Sequence, residues 1–180
     1  MTRILGHTVT ALALLWYLIL KKKSLSLFPG ELRPNPKDAF SFLWAFPGLI
    51  LIAVSISLMS TRISSFSMPP RVLAPVNAPG WIIMALSCIG TGYLEETYFR
   101  FYLMKKLEEW APPRLLRITI SVLLFTLCHV YGGIWGILNA ALAGLLLSVL
   151  FERYRSLHGL AMAHALYNAL VYTMGIFYTR

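Results

Sequence analysis

Charge is scarce in this sequence: Asp, Glu, Lys and Arg make up 13% of its 180 residues, and only seven are acids. A soluble domain of ordinary composition carries about a quarter. Cysteine is rarer still. Cys88 and Cys128 both lie in apolar runs and form no CxxC pair, so neither a disulfide framework nor a thiolate metal site is indicated. There is no HExxH spacing, no internal repeat, no low-complexity tract and little strand-and-turn punctuation. No basic face interleaved with aromatics accompanies the net charge of +9, so nucleic acid is not an expected partner. The apolar run Ile4 to Leu20 is followed by KKKSLSLFP and not by a small-residue cleavage pattern, which favours an uncleaved first helix over a signal peptide.

What is abundant is apolar surface, at 58% of residues and a mean hydropathy of +0.68. It is laid out in runs that approach or exceed the roughly 20 residues a membrane helix needs. An oily soluble core does not require runs of that length. Six spans are expected, over about 4–20, 40–59, 81–104, 117–131, 133–151 and 158–178, with prolines or glycines between most of them. Only helices and closed barrels satisfy the backbone in lipid, so the expected fold is all-α: a polytopic transmembrane helical bundle forming one membrane domain, 1–180.

The basic residues set the expected orientation. Eleven (Lys21, Lys22, Lys23, Arg33, Lys37, Lys105, Lys106, Arg114, Arg117, Arg153 and Arg155) follow spans one, three and five, against four (Arg3, Arg62, Arg71 and Arg180) on the other side. The positive-inside rule then places both termini outside the cytoplasm. Trp16, Tyr17, Trp44, Trp81, Trp110 and Tyr178 sit near span ends, as interfacial aromatics do. Ala140, Gly144 and Ser148 recur every four residues and predict a face for close helix packing, with Asn139 beside it as an interhelical hydrogen-bond donor.

Ionisable groups inside such spans are costly unless paired or hydrated, and so are candidates for function. They are few: Glu95, Glu96 and Arg100 in span three, His129 in span four and His164 in span six, with Asn168 as a polar companion. Glu96 and Arg100 are four apart with the acid N-terminal, the better order for a helical ion pair. Glu95 is turned about 100° away, so one carboxylate can neutralise the arginine while the other handles protons. The alternative is that all three form one structural charge cluster. His164 and Asn168 share a helix face and can donate to one developing negative charge, or simply cross-link helices. None of these sets faces lipid cheaply, so they are expected to converge. Together they could let Glu95 take a proton from water, His129 orient that water, and His164 with Asn168 hold an oxyanion. Cys128 adjoins His129, but helix neighbours point about 100° apart, and it reads as packing.

The ordered trio EETYFR, FTLCH and HALYN resembles the CPBP family, which includes the CAAX prenyl-protease 2 and bacteriocin-processing enzymes and is also called the Abi family. The resemblance covers roughly residues 81 to 178 as a catalytic core. It implies an intramembrane endopeptidase in which Glu95 is the base, His129 its partner on the water, Glu96 and Arg100 supports, and His164 with Asn168 the oxyanion hole. The implied partners are the bilayer and a protein or peptide substrate with a membrane-proximal segment: a C-terminal CAAX box or sorting tag, or a bacteriocin leader. The implied location is a prokaryotic cytoplasmic (inner) membrane, as a multi-pass protein. No cofactor is expected on a glutamate mechanism; the alternative is zinc held by Glu95, His129 and His164. A non-catalytic scaffold or bacteriocin-immunity protein of the same fold, and a small proton-coupled transporter, are the other classes open. On the spans as drawn His129 falls near the opposite end of span four, so convergence requires that span to be displaced, tilted or misdrawn by a turn or two.

Overall fold

The computed structural model describes residues 34–63 and 74–178. In chain order they form α1 (Pro36–Ile63), α2 (Ala78–Glu96), a π-helical continuation (Thr97–Met104) and the single turn α3 (Lys105–Glu108). Then come α4 (Arg114–Leu127), a 3₁₀ turn (Val130–Gly132), α5 (Gly133–Tyr154) and α6 (His158–Tyr178). No strand occurs among the described residues, and the all-α expectation holds.

Helix ends follow local chemistry. Asn77 caps α2, its side chain accepting from the Gly80 N–H at 3.0 Å ahead of the apolar run. Asp38, in the first turn of α1, also reaches the start of α6: it accepts from the Ser156 hydroxyl and from the Gly159 N–H at 3.3 Å. A carboxylate at a helix N-terminus is well placed for the dipole, so this contact fixes the two helices end to end. Ser41 adds a 2.8 Å bond to Ser156.

α1 lies across α5 and α6, α2 runs beside α6, and α4 packs between α5 and the π segment. The shared core of Leu49, Phe101, Met104, Leu147, Phe151 and Leu160 is almost wholly buried. The outer faces are as apolar as the interior: Leu43, Leu51, Ile63, Leu115 and Met174 are each more than 60% exposed. Such a continuous apolar exterior marks a surface made for something other than water. Two segments, Pro36–Ile63 and Val130–Tyr154, are long and apolar enough to cross a membrane.

The expected spans meet this structure unevenly. Span 4–20 lies outside the described residues, as do Trp16, Tyr17 and the basic residues before Pro34. The other five each fall on a helix, but the fourth is shorter than drawn. α4 has 14 residues, about 21 Å of rise, against a hydrocarbon core of about 30 Å. It stops at Leu127 because the chain then bends: the His129 imidazole takes the Phe125 carbonyl at 2.8 Å, and Gly133 adopts φ +65°. A side chain thus satisfies a carbonyl that the next turn would have used.

The small-residue face of α5 is buried as expected, with Gly144 against the Phe125 ring and Ser148 against Ser121. Ser121 in turn donates to the Phe99 carbonyl at 3.1 Å. Supplying a carbonyl in the π segment from outside the helix is one way a ladder accommodates a changed register. Cys128, read as packing, is instead exposed, because the helix has ended before it.

Candidate active site

The polar residues of α2, α4 and α6 come together. Glu96 and Arg100 form a fully buried ion pair, Nη1 to Oε1 at 3.3 Å, so the spacing of four survives the change from α to π helix. The guanidinium also donates to the Gly144 carbonyl at 3.3 Å and lies 4.4 Å from the centre of the Phe125 ring. That ring face supplements an incompletely hydrogen-bonded cation.

Glu96 does more than neutralise Arg100. Its Oε1 accepts from His164 Nδ1 at 2.8 Å. This contact fixes the ring, because a carboxylate held by arginine can only accept, and so Nδ1 carries the proton. His164 Nε2 is then directed at Glu95, whose Oε2 is 3.6 Å away. Glu95 is rotated out of the buried pair, and its side chain keeps 22% of its surface open.

Glu95, His129, His164 and Asn168 all line one cavity of about 270 Å³. His129 reaches it because α4 has already ended. With Nδ1 committed to the Phe125 carbonyl, which only accepts, the neutral ring leaves Nε2 as an acceptor. The cavity therefore brings together a carboxylate, an acceptor imidazole, an imidazole backed by an ion pair, and a carboxamide. Gly92 permits this convergence. A Cβ there would stand 2.8 Å from the Ala161 carbonyl oxygen and 2.9 Å from the Ala165 nitrogen, so only glycine lets α2 approach α6 this closely.

Other lining residues were not singled out by their chemistry in the sequence. Tyr167 donates to Asn139 Oδ1 at 3.0 Å, joining α6 to α5 in the cavity wall. Asn139 is thus an interhelical acceptor and not the donor expected. Tyr131 and Tyr172 stand on the wall as well, and Cys88 lies two turns before Glu95. Tyr167 sits inside HALYN, one turn after His164, and that spacing was the available signal.

Zinc held by Glu95, His129 and His164 would need the three side chains grouped around one ion. Among the described residues no three His, Cys, Asp or Glu side chains are grouped so as to hold a metal ion.

A carboxylate and two imidazoles line one cavity among helices with apolar exteriors, the character of a membrane-embedded protein. Residues 77–170 match the family model described as Rce1-like, type II CAAX prenyl endopeptidase. The match covers just over half of the chain, and this protein belongs to that family of intramembrane endopeptidases, as its three motifs suggested. Comparison with curated proteins and with solved structures gave no match. The matched segment holds every motif residue, whereas the whole of α1 lies before it.

Proposed function

We propose that this protein is a multi-pass intramembrane endopeptidase of a prokaryotic cytoplasmic membrane, working by glutamate-activated water. A single membrane domain would carry its catalytic core in residues 81–178. Glu95 takes a proton from a water that His129 orients through its acceptor nitrogen, and the resulting hydroxide attacks the scissile carbonyl. Asn168 and His164, the latter as an imidazolium with Nδ1 bonded to Glu96 and Nε2 donating, hold the oxyanion. Glu95 then delivers its proton to the leaving amine. Glu96 and Arg100 position His164. The observation that carries this reading is the 3.6 Å approach of Glu95 to His164 Nε2 on a cavity also lined by His129 and Asn168.

No step uses a metal. The substrate is a membrane-associated protein or peptide bearing a C-terminal CAAX or sorting tag, or a bacteriocin leader. Comparing mature C-termini and leader-bearing precursors between a deletion strain and its complemented parent tests this directly. Unprocessed precursors should accumulate in the deletion, clear with the wild type, and persist with His129→Ala or Asn168→Ala. Clearance by both variants would leave a scaffold or immunity protein as the better description.

A further inference from the structure

Glu95, His129, His164 and Asn168 do not exhaust the polar side chains of the cavity. Asn139 is the polar residue that α5 contributes to its wall, and Tyr167 stands on α6 between His164 and Asn168. Tyr167 is only 6% exposed, so its hydroxyl hydrogen needs an acceptor within the protein. It finds one in Asn139 Oδ1, to which the hydroxyl donates at 3.0 Å. This bond sets the orientation of the carboxamide. Turned the other way, the amide would offer N–H groups to the phenol and leave the phenolic hydrogen without an acceptor.

With Oδ1 engaged, Nδ2 and its two hydrogens are what Asn139 offers to a ligand in the cavity it lines. Among the described residues this side chain makes no other hydrogen bond. The remaining polar groups do not duplicate it. Ser87 donates to the Ile83 carbonyl of its own helix at 2.7 Å, and Glu95 and His129 present acceptors. The two donors of the proposed chemistry, His164 and Asn168, both serve the scissile carbonyl. A polypeptide held for hydrolysis has further carbonyls on either side of that bond, and each loses its hydration on entering an apolar site unless a protein N–H replaces it. Ala140 and Ala143, on the same wall as Asn139, are small and let a chain lie close to α5.

We infer that Asn139 is a substrate-binding residue whose amide donates to a main-chain carbonyl beside the scissile bond, and that Tyr167 is the positioning residue that keeps the amide turned for it. The contact reads peptide backbone, so it serves a CAAX box, a sorting tag or a leader alike. It adds a polar hold from α5 to those that α2, α4 and α6 supply. That the ligand is a polypeptide rests on the protease reading; the orientation of the amide does not.

The test uses the full-length protein in nanodiscs and a quenched-fluorescent peptide ending in a prenylated CAAX box. Asn139→Ala should raise KM about tenfold, the upper end for one neutral hydrogen bond. Its kcat should stay within about threefold of wild type, the signature of lost uniform binding. Tyr167→Phe keeps the ring and should raise KM less. Tyr167→Phe/Asn139→Ala should be no worse than Asn139→Ala, because the hydroxyl acts through the amide. In Glu95→Gln protein, where binding of the same peptide is read without cleavage, adding Asn139→Ala should weaken binding by the same factor. Wild-type KM and affinity in folded Asn139→Ala protein would overturn the inference and leave the Tyr167 bond as a helix cross-link. A loss confined to kcat, or independent effects of the two substitutions, would overturn it as well. A wild type that binds the peptide without cleaving it, with binding weakened by Asn139→Ala, counts against the protease and leaves the binding residue standing. A wild type that neither binds nor cleaves it counts against both.

Discussion

Replacing Arg100 by methionine removes a charge from the centre of the protein while keeping much of the apolar stem. Both Arg100 and Glu96 are completely buried. The substitution takes from Glu96 the guanidinium 3.3 Å away and leaves His164 Nδ1 as its remaining named partner. It also frees the Gly144 carbonyl. Breaking one partner of a buried pair costs roughly 3–5 kcal/mol, because the other charge stays desolvated. At roughly 2–4 °C per kcal/mol for a chain of this size, the thermal midpoint should fall by roughly 6–20 °C. The assay is thermal unfolding of the purified protein in detergent or nanodiscs, read by loss of the monodisperse species. Removing both charges, as Glu96→Leu/Arg100→Met, should cost less than either single change. What remains is the unsatisfied His164 donor, about 1–3 kcal/mol. Stability should thus return in part, while substrate cleavage stays low because His164 is no longer held. A midpoint for Arg100→Met within about 2 °C of wild type, or a double variant no better than the singles, would refute the buried-pair account.

Gly92→Ala should place its methyl against the backbone at Ala161 and Ala165, lowering the thermal midpoint and separating Glu95 from His164; full cleavage activity in this variant would show that the close approach is not needed. At the basic end, burial, then the charge of Arg155, pushes the Lys105 ammonium down to about 8, with Glu108 opposing. The unfolded chain then binds more protons between about 8 and the ordinary 10.5, so stability should rise with pH across that window. Thermal midpoints at both ends of that range should show the rise in wild type and a weaker one in Lys105→Met. Cleavage should survive prolonged treatment with a strong chelator; loss of activity restored by zinc would reinstate the metal mechanism.

Much of the site was written in the sequence because intramembrane polarity is costly, so the few polar side chains must converge. The spacing of four between Glu96 and Arg100, and the face shared by His164 and Asn168, follow from helical periodicity alone. Three features could not be read that way. The bond from His164 to Glu96 depends on how α2 meets α6, and Gly92 sets that distance through a contact between elements distant in sequence. The π register after Glu96, where Ser121 donates to the Phe99 carbonyl, is not encoded by local propensity. The depth of His129 depends on α4 ending early. Hydropathy carries an apolar run through Leu127 to Val130 without a break, whereas the side-chain bond to Phe125 and the following glycines turn the chain. The helix count suffers likewise, since periodicity identifies helices and not whether each one crosses the bilayer.

The central claim is that Glu95 is the base in a cavity shared with His129 and His164. Its most direct test is the single-turnover cleavage rate of purified Glu95→Gln against wild type on a processed substrate, in the same bilayer and with matched thermal midpoints. The rate should fall by about 10²- to 10⁴-fold, the range for loss of a positioned general base. A folded Glu95→Gln protein that cleaves at the wild-type rate would contradict it.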